Sequence, residues 1–215
     1  MNKRKILSLA LAVCLIALFT MGTLAYFTDS AATSNKFMTA SYDPSNPDKV
    51  ITAEELFSIK VYETDANGQK DYDGLTYEDI APGDELDKDP TAENTGKYGQ
   101  YVRMSVTLTK ASAWQNAVAQ GTDLTTIFKG FDSTKWTRYD EPAVDTTNDT
   151  VTYVFYYNGI LAPGGTATLF TDVVIPTSLT VDDMVALSQF EINITADAIQ
   201  SDNTGDNAYD AFKKW

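Results

Sequence analysis

The sequence predicts an all-β protein: a single antiparallel β-sandwich with short helical insertions, preceded by an N-terminal signal helix. Three observations support this fold class. Apolar and polar residues alternate with a period of two from residue 56 onward, Asn-Gly and Pro-Gly turns separate the alternating runs, and a basic and then apolar leader precedes them. The chain has 215 residues, of which 43% are hydrophobic, and this is enough for one domain with its own core.

The leader is typical of an export signal. Residues 3–5 are basic, residues 6–21 are almost continuously apolar, and residues 23–25 are small enough for a signal peptidase to recognise. We therefore predict a signal peptide over residues 1–25, cleaved between Ala25 and Tyr26. The mature protein is then expected outside the cell, either secreted or at the cell surface.

Two alternatives to this cleavage remain open. One is a cut after Ala31 or Ala32, although these residues lie rather far from the apolar run. The other is an uncleaved membrane anchor, although the apolar run of 16 residues is shorter than the roughly 20 residues that cross a bilayer. Cleavage after Ala25 removes three basic residues and the only cysteine, Cys14, and changes the net charge from −14 to −17.

Alternation predicts the strands in order along the chain. The longest runs lie at 101–108, 151–157, 169–175 and 190–198. Their even spacing of Val, Ile, Tyr and Phe places one face on a core and the other in water. Tyr153, Phe155, Tyr157 and Phe190 are accordingly predicted to be core residues, in preference to an aromatic-lined ligand groove.

Turn residues separate these runs. Asn67-Gly68 predicts a hairpin, and Asp73-Gly74 predicts a further turn. The sequence Ala-Pro-Gly occurs twice and predicts two type II turns, because proline favours the first central position and glycine supplies the positive φ of the second. These turn residues are Pro82, Gly83, Pro163 and Gly164.

Helix signals are few and short. Residues 112–120 are followed by the helix-stopping Gly121 and predict a surface helix, and residues 123–129 predict another. Residues 181–187 predict about one turn before the last strand. Apolar residues at helical spacing predict a C-terminal helix within 206–215.

Composition excludes several functions. The net charge of −14 argues against nucleic acid as a partner. The chain has no histidine, which excludes Ser-His-Asp catalysis, Cys-His catalysis and histidine-ligated zinc. No carboxylate pair is marked as buried by its surroundings, and the mature chain lacks a Ser-x-x-Lys motif. We therefore predict no catalytic residues, no cofactor-binding residues and no metal site.

Two acidic loops call for a test as calcium sites. In a calcium-loop register starting at Asp65, Lys70 falls where glycine is required and Thr76 falls where a bidentate glutamate is required. A solvated hairpin loop is the preferred interpretation there, and the same holds for residues 202–207. Their oxygen-rich composition leaves weak Ca²⁺ binding outside the cell open, and no other cofactor is expected.

Several segments together resemble a known family. The leader junction Gly-Thr-Leu-Ala-Tyr-Phe-Thr-Asp-Ser at 22–30, followed by Phe37, is similar to TasA and camelysin of Gram-positive bacteria. Further similarity lies in Ile-Ala-Pro-Gly-Asp at 80–84 with the strands that follow it, in Leu-Ala-Pro-Gly at 161–164, and in Ala-Asp-Ala-Ile-Gln at 196–200. The resemblance covers most of the chain.

The resemblance implies a jelly-roll sandwich exported as a subunit of biofilm-matrix fibres. It divides the chain into a signal peptide (1–25), a donor-strand segment (26–40) and the sandwich (41–215). The donor strand fills a groove in the next subunit, with Tyr26, Phe27, Phe37 and Met38 as its apolar residues. The implied partners are further copies of the chain in a head-to-tail polymer, a dedicated signal peptidase of the endoplasmic-reticulum type, and other matrix proteins.

The same family implies one alternative function. Camelysin is described as a cell-surface metalloendopeptidase, which here would have to use carboxylate ligands, because the chain contains neither histidine nor an HExxH motif. A monomeric surface adhesin is a third hypothesis. The fibre subunit is the leading prediction.

Overall fold

The computed structural model describes residues 52–118, 122–202 and 204–214, together with the backbone of three short strands before them. The strands are β1 (Thr28–Ser30), β2 (Ser41–Tyr42), β3 (Val50–Ile51), β4 (Ile59–Thr64), β5 (Lys70–Asp71), β6 (Glu85–Asp87), β7 (Thr91–Asn94), β8 (Gln100–Thr109), β9 (Phe128–Lys129), β10 (Trp136–Thr137), β11 (Ala143–Asp145), β12 (Thr150–Tyr157), β13 (Thr166–Thr168), β14 (Asp172–Val174) and β15 (Ile192–Gln200). The helices are α1 (Ala53–Leu56), α2 (Ala111–Ala117), α3 (Val181–Ala186) and α4 (Ala208–Lys213).

The first sheet is built on three long strands. Its order is β1-β15-β8-β12-β10, with β11 also paired to β12, and all its pairs are antiparallel. The alternation predicted for β8 is confirmed, because Val102, Met104, Val106 and Leu108 are all fully buried. Tyr153 and Phe155 on β12 are buried as predicted, and Tyr157 and Phe190 are partly buried against the same core.

The second layer consists of the sheets β13-β7-β4-β5 and β6-β14-β9. Their pairings share one register, since Thr91 lies opposite Thr168 in one sheet and Asp87 lies opposite Asp172 in the other. Two backbone hydrogen bonds bridge the gap between them, from Lys88 N to Thr171 O (3.1 Å) and from Leu169 N to Pro90 O (3.0 Å). The layer is therefore one interrupted antiparallel ribbon flanked by further strands.

The two layers enclose a common core. It combines Met104 and Phe155 of the first sheet with Ala92 and Val173 of the second layer. The buried Trp136 of β10 joins the layers directly, because its indole Nε1 donates a hydrogen bond to Thr168 O at 2.8 Å. The protein is thus mostly β, with antiparallel sheets packed as the predicted all-β sandwich requires.

Two local predictions were wrong in detail. Residues 169–175 do not form one strand, because the ribbon is interrupted between Thr168 and Asp172 beside Pro90, which has no N–H to donate. Residues 123–129 do not form an α-helix. Asp123 caps a single 3₁₀ turn (Leu124–Ile127), and the chain then enters β9, which pairs with β14.

Three of the four helices were predicted to within a few residues at their ends, whereas α1 was not predicted. Helix α2 begins one residue before the predicted 112–120, of which residues 119 and 120 lie outside the described part of the chain. Helix α3 lies within 181–187 and α4 within 206–215. Thr180 begins α3 with a capping box, accepting from Asp183 N while the Asp183 carboxylate accepts from Thr180 N.

The outer face of β8 departs from the expected alternation. Tyr101, predicted to face water, is only 6% exposed. It belongs to a second apolar cluster on the other side of the first sheet, where α4 contributes Ala208, Ala211 and Phe212 and β15 contributes Ile199. The C-terminal helix therefore covers part of a sheet face that the strand pattern assigns to solvent.

Candidate functional site

The predicted donor segment reaches the edge of the first sheet. Strand β1 pairs with β15 in antiparallel register, with Thr28 opposite Ile199 and Ser30 opposite Asp197. Ala25, Tyr26, Phe27, Phe37 and Met38 lie outside the described residues. The backbone of 28–30 thus satisfies one end of this edge.

The rest of that edge has no strand partner among the described residues. Residues Ile192 to Ala196 of β15 pair with β8 on one side. On the other side, the pairing of β15 with β1 ends at the pair Ser30–Asp197. Unpaired N–H and C=O groups along a strand edge are a template for adding another strand. The stretch from Ile192 to Ala196 is therefore a candidate acceptor.

A cleft of about 810 Å³ lies beside this stretch, between the two layers. Residues of strands β4 and β15 line it, together with residues 71–77 and Ile80. Its apolar wall consists of side chains that are only partly buried and pack against the main core: Val61, Ile80, Leu86, Phe190, Ile192 and Ile194. The main core is therefore incompletely covered at this place.

A buried ion pair lies in the wall of the cleft. Lys88 Nζ donates to Glu63 Oε1, and the two residues are only 7% and 5% exposed. The second carboxylate oxygen, Glu63 Oε2, is buried and has no hydrogen-bond partner. An unpaired buried carboxylate oxygen has lost its hydration without replacement, and this reduces the stability of the fold.

Three tyrosines also line this cleft: Tyr62, Tyr72 and Tyr77. Tyr77 donates its phenol hydrogen to Asp87 O, and burial raises the pKa of Tyr77, with the nearby Glu63 and Asp87 carboxylates raising it further. Tyr62 meets Tyr72 edge to face at 5.9 Å, and the Lys70 Nζ lies 4.5 Å from the Tyr62 ring centre. Burial also raises the pKa of Tyr62, so the phenols of Tyr62 and Tyr77 remain protonated at neutral pH.

The two Pro-Gly sequences form equivalent corners of the second layer. At Pro82-Gly83, Asp84 N bonds to Ala81 O at 3.1 Å and Gly83 has φ +94°. At Pro163-Gly164, the corresponding bond from residue 165 to residue 162 is 2.8 Å and Gly164 has φ +70°. Each central glycine also donates its N–H across the layer, Gly83 to residue 175 and Gly164 to residue 94, both at 2.8 Å. These corners hold the ribbon and lie outside the cleft lining.

The predicted hairpin at Asn67-Gly68 is confirmed, and it joins β4 to β5 through residues 65–69. Asp65 Oδ1 accepts from Asn67 N (2.9 Å) and Gln69 N (2.7 Å), so this carboxylate serves the loop itself. The other acidic loop includes Asn203, which lies outside the described residues. Across the described ranges, no group of three or more His, Cys, Asp or Glu residues is placed to hold a metal ion.

Sequence reasoning missed the Glu63–Lys88 pair. One signal was present: Ile59, Val61 and Glu63 occupy one face of β4, so a carboxylate interrupts an inward-facing apolar series. Lys88 gave no such signal, because it lies at the interruption between β6 and β7. The partners are 25 residues apart in the sequence.

Comparisons with family models, curated proteins and solved structures found no match to this chain. Among residues 52–118, 122–202 and 204–214, no helix has the length and apolarity needed to cross a membrane.

Proposed function

We propose that the chain is a secreted structural subunit of extracellular biofilm-matrix fibres, which assembles by adding its N-terminal segment to a neighbouring copy. The observation that carries this proposal is the cleft beside Ile192–Ala196, an incompletely covered core next to a strand edge with no described partner. A missing strand is the simplest occupant of such a cleft, since it supplies both backbone hydrogen bonds and an apolar face.

The position of β1 supports a segment that can be exchanged. Its three residues already pair with β15 of their own chain, beside the cleft. Exchange of such an element between identical chains needs no new type of contact, because the same pairing is made by a neighbour. Donation in one direction then makes a head-to-tail contact, and such contacts propagate as a filament when the rotation between subunits does not close a ring.

Composition of the donor segment also supports exchange. Residues 26–40 are rich in Ser, Thr, Ala and Asn, with Tyr26, Phe27, Phe37 and Met38 as their larger apolar residues. A segment of this composition has little apolar surface to bury, so backbone hydrogen bonds would supply most of its affinity. A jelly-roll arrangement of the strands and membership of the TasA and camelysin family belong to the same proposal, on the residue similarities described above.

The first experiment establishes the mature N-terminus. Mass spectrometry of the secreted protein is expected to find Tyr26 as the first residue, and replacement of Ala25 by a bulky or charged residue is expected to retain the precursor in the membrane. A mature start at or after Ala32 would remove the residues that form β1 and contradict the proposal.

The second experiment tests assembly. Electron microscopy of the mature chain is expected to show fibres, whereas deletion of residues 26–36 should leave a folded, β-rich monomer that forms none. Normal polymerisation of the deletion variant, with a native circular dichroism spectrum, would contradict strand donation. Chelator-sensitive cleavage of casein by the purified mature protein would instead support the metalloendopeptidase.

A further inference from the structure

Three tyrosines, Tyr139, Tyr156 and Tyr209, meet beside α4, and none of them lines the cleft. We propose that Tyr139 and Tyr209 form an oxidative modification site, at which a carbon–carbon bond joins their rings to give dityrosine. The co-reactant is a peroxide, which a haem peroxidase uses to take one electron from each phenol. The bond would fix α4 on the first sheet, and it does not depend on strand donation at the cleft.

The rings of Tyr139 and Tyr209 are stacked. Their centres are 4.3 Å apart and their planes make an angle of 21°. Carbon atoms of two rings at this spacing are close to van der Waals contact, at which carbons lie about 3.5–4.0 Å apart. The other three tyrosine–tyrosine contacts among the described residues are edge to face, with ring centres 5.2, 5.8 and 5.9 Å apart. The stacked pair therefore has the shortest ring separation of the four contacts.

Exposure makes one ring of this pair reachable and leaves it room to move. Tyr139 is 52% exposed, so an oxidant in solution can reach its ring. The bond forms between ring edges, and an exposed ring can swing out of the stack to present its edge. Tyr209 is partly buried against the second apolar cluster, whereas Tyr156 is only 5% exposed. Tyr139 and Tyr209 are therefore the accessible members of the three.

Asp140 holds the second ring in place. The Tyr209 hydroxyl donates a hydrogen bond to Asp140 Oδ1 at 3.1 Å, and the Tyr156 hydroxyl donates one to Oδ2 at 3.3 Å. Because Asp140 follows Tyr139 in the chain, these bonds keep α4 next to the segment that carries Tyr139. A phenol that loses an electron also loses its proton, and the Asp140 carboxylate is an acceptor already bonded to the proton that Tyr209 gives up.

The reaction balances with one peroxide molecule for each bond. Each phenol gives up one electron and one proton, the proton of Tyr139 to water and the proton of Tyr209 to Asp140, which passes it on to water. The two phenoxyl radicals couple through a carbon next to the one that bears the oxygen, and the hydrogen on each of these carbons moves to the phenol oxygen. The two electrons and two protons released reduce hydrogen peroxide to two water molecules.

A bond at this position would stabilise a short element. Helix α4 has six residues, and a helix of this length is not stable by itself. It is held by the packing of Ala208, Ala211 and Phe212 in the second apolar cluster. A cross-link from Tyr209 to Tyr139 closes a long loop in the unfolded chain and lowers its entropy, so it favours the folded state.

Oxidation of the full chain by a haem peroxidase and hydrogen peroxide, at a low protein concentration, tests the site. Dityrosine fluorescence measures the yield, and size-exclusion chromatography separates monomers from cross-linked oligomers. A glutamate-specific protease cuts between the two tyrosines, at Glu141 and Glu191, so mass spectrometry can detect their peptides joined with the loss of two hydrogen atoms. We expect this joined pair, containing Tyr139 and Tyr209, to be the main product in the monomer.

Tyr139→Phe and Tyr72→Phe are a matched pair of variants. Tyr72 is 51% exposed and also contacts a tyrosine, Tyr62, but edge to face at 5.9 Å. Phenylalanine keeps the ring and lacks the hydroxyl whose oxidation starts the coupling, so we expect Tyr139→Phe to remove most of the dityrosine from the monomer. Tyr209→Phe should do the same, and Tyr72→Phe should leave the yield unchanged.

A dityrosine bond mapped to another pair would overturn the site. So would a yield that Tyr139→Phe and Tyr72→Phe lower equally, in variants with native circular dichroism spectra. Absence of dityrosine, or its formation only between chains, would overturn the site as well.

The stabilising role of the bond has its own measurement. The oxidised monomer should unfold at a higher urea concentration than the untreated monomer, and this shift should be absent in oxidised Tyr139→Phe. An equal shift in oxidised Tyr139→Phe would overturn the role of the bond in fixing α4.

Discussion

Replacing Lys88 by methionine should strongly destabilise the protein. Among the described residues, Lys88 is the one hydrogen-bond partner of the Glu63 carboxylate, so the substitution leaves both of its oxygens without a hydrogen bond there. Removing one member of a buried ion pair costs about 3–5 kcal/mol, because the remaining charge has lost its hydration and gains no counter-charge. For a domain of this size such a loss lowers Tm by roughly 6–20 °C.

The chain contains a matched control for this substitution. Lys129 and Glu85 also form a Lys–Glu pair, at 2.5 Å between Nζ and Oε1, but their side chains are 58% and 46% exposed. Lys129→Met should therefore cost at most about 1 kcal/mol, since water and salt screen an exposed pair. Burial alone distinguishes the two lysines in this comparison.

Urea denaturation followed by tryptophan fluorescence measures both variants, because Trp114 and Trp136 are fully buried and report on the core. The double variant Glu63→Leu with Lys88→Met should recover most of the loss, since it removes both charges together. If Lys88→Met costs no more than Lys129→Met, water reaches the Glu63 carboxylate, and the argument that its charge is buried is wrong.

Three further outcomes are expected. Gly130→Ala should reduce the free energy of unfolding by at least about 1 kcal/mol more than Gly74→Ala. Both glycines have positive φ, but a Cβ at Gly130 would lie 2.1 Å from Thr171 Oγ1, whereas nothing lies within 4 Å of a Cβ at Gly74. Comparable losses of the two variants in urea denaturation would contradict this. Burial raises the pKa of Asp123, but hydrogen bonds from Arg138 and from a backbone N–H lower it by more, so the net shift of this pKa is downward. The stability lost in Asp123→Asn should therefore be full above about pH 5 and shrink as the pH falls below the unfolded value of about 3.9, and a loss independent of pH would refute the pair. If the proposed fibres form, their growth should accelerate with salt, measured by light scattering, because subunits beginning at Tyr26 would carry −17 and repel one another. Slower growth in salt would contradict the charge argument.

Local patterns predicted most of the strands and turns. The alternation in β8 predicted its buried face correctly because side-chain direction in a strand depends only on position along that strand. The hairpin at Asn67-Gly68 was predictable for a similar reason, since positive φ is a property of single residues and Gly68 has φ +77°. Short helices with their own caps, such as α3, are also local features.

Contacts between distant residues were not predictable in the same way. The burial of Tyr101 depends on α4, a helix about one hundred residues later in the chain that happens to pack on that face of the sheet. The pairing of Glu63 with Lys88 depends on β4 and the β6–β7 ribbon lying side by side. Neither follows from local propensity, because strand order is decided by the packing of the whole sandwich.

The sequence by itself determined a basic and then apolar N-terminal stretch, an acidic composition with one cysteine, alternating strands, and the two Pro-Gly corners. All are properties of composition or of neighbouring residues. Only the tertiary structure decided that β15 lies at a partly covered edge, that a cleft opens beside Ile192, and that Glu63 is buried there with one oxygen unsatisfied. The physical reason is that hydrogen-bond satisfaction and core coverage depend on which distant strands become neighbours, and local sequence patterns carry no information about that choice.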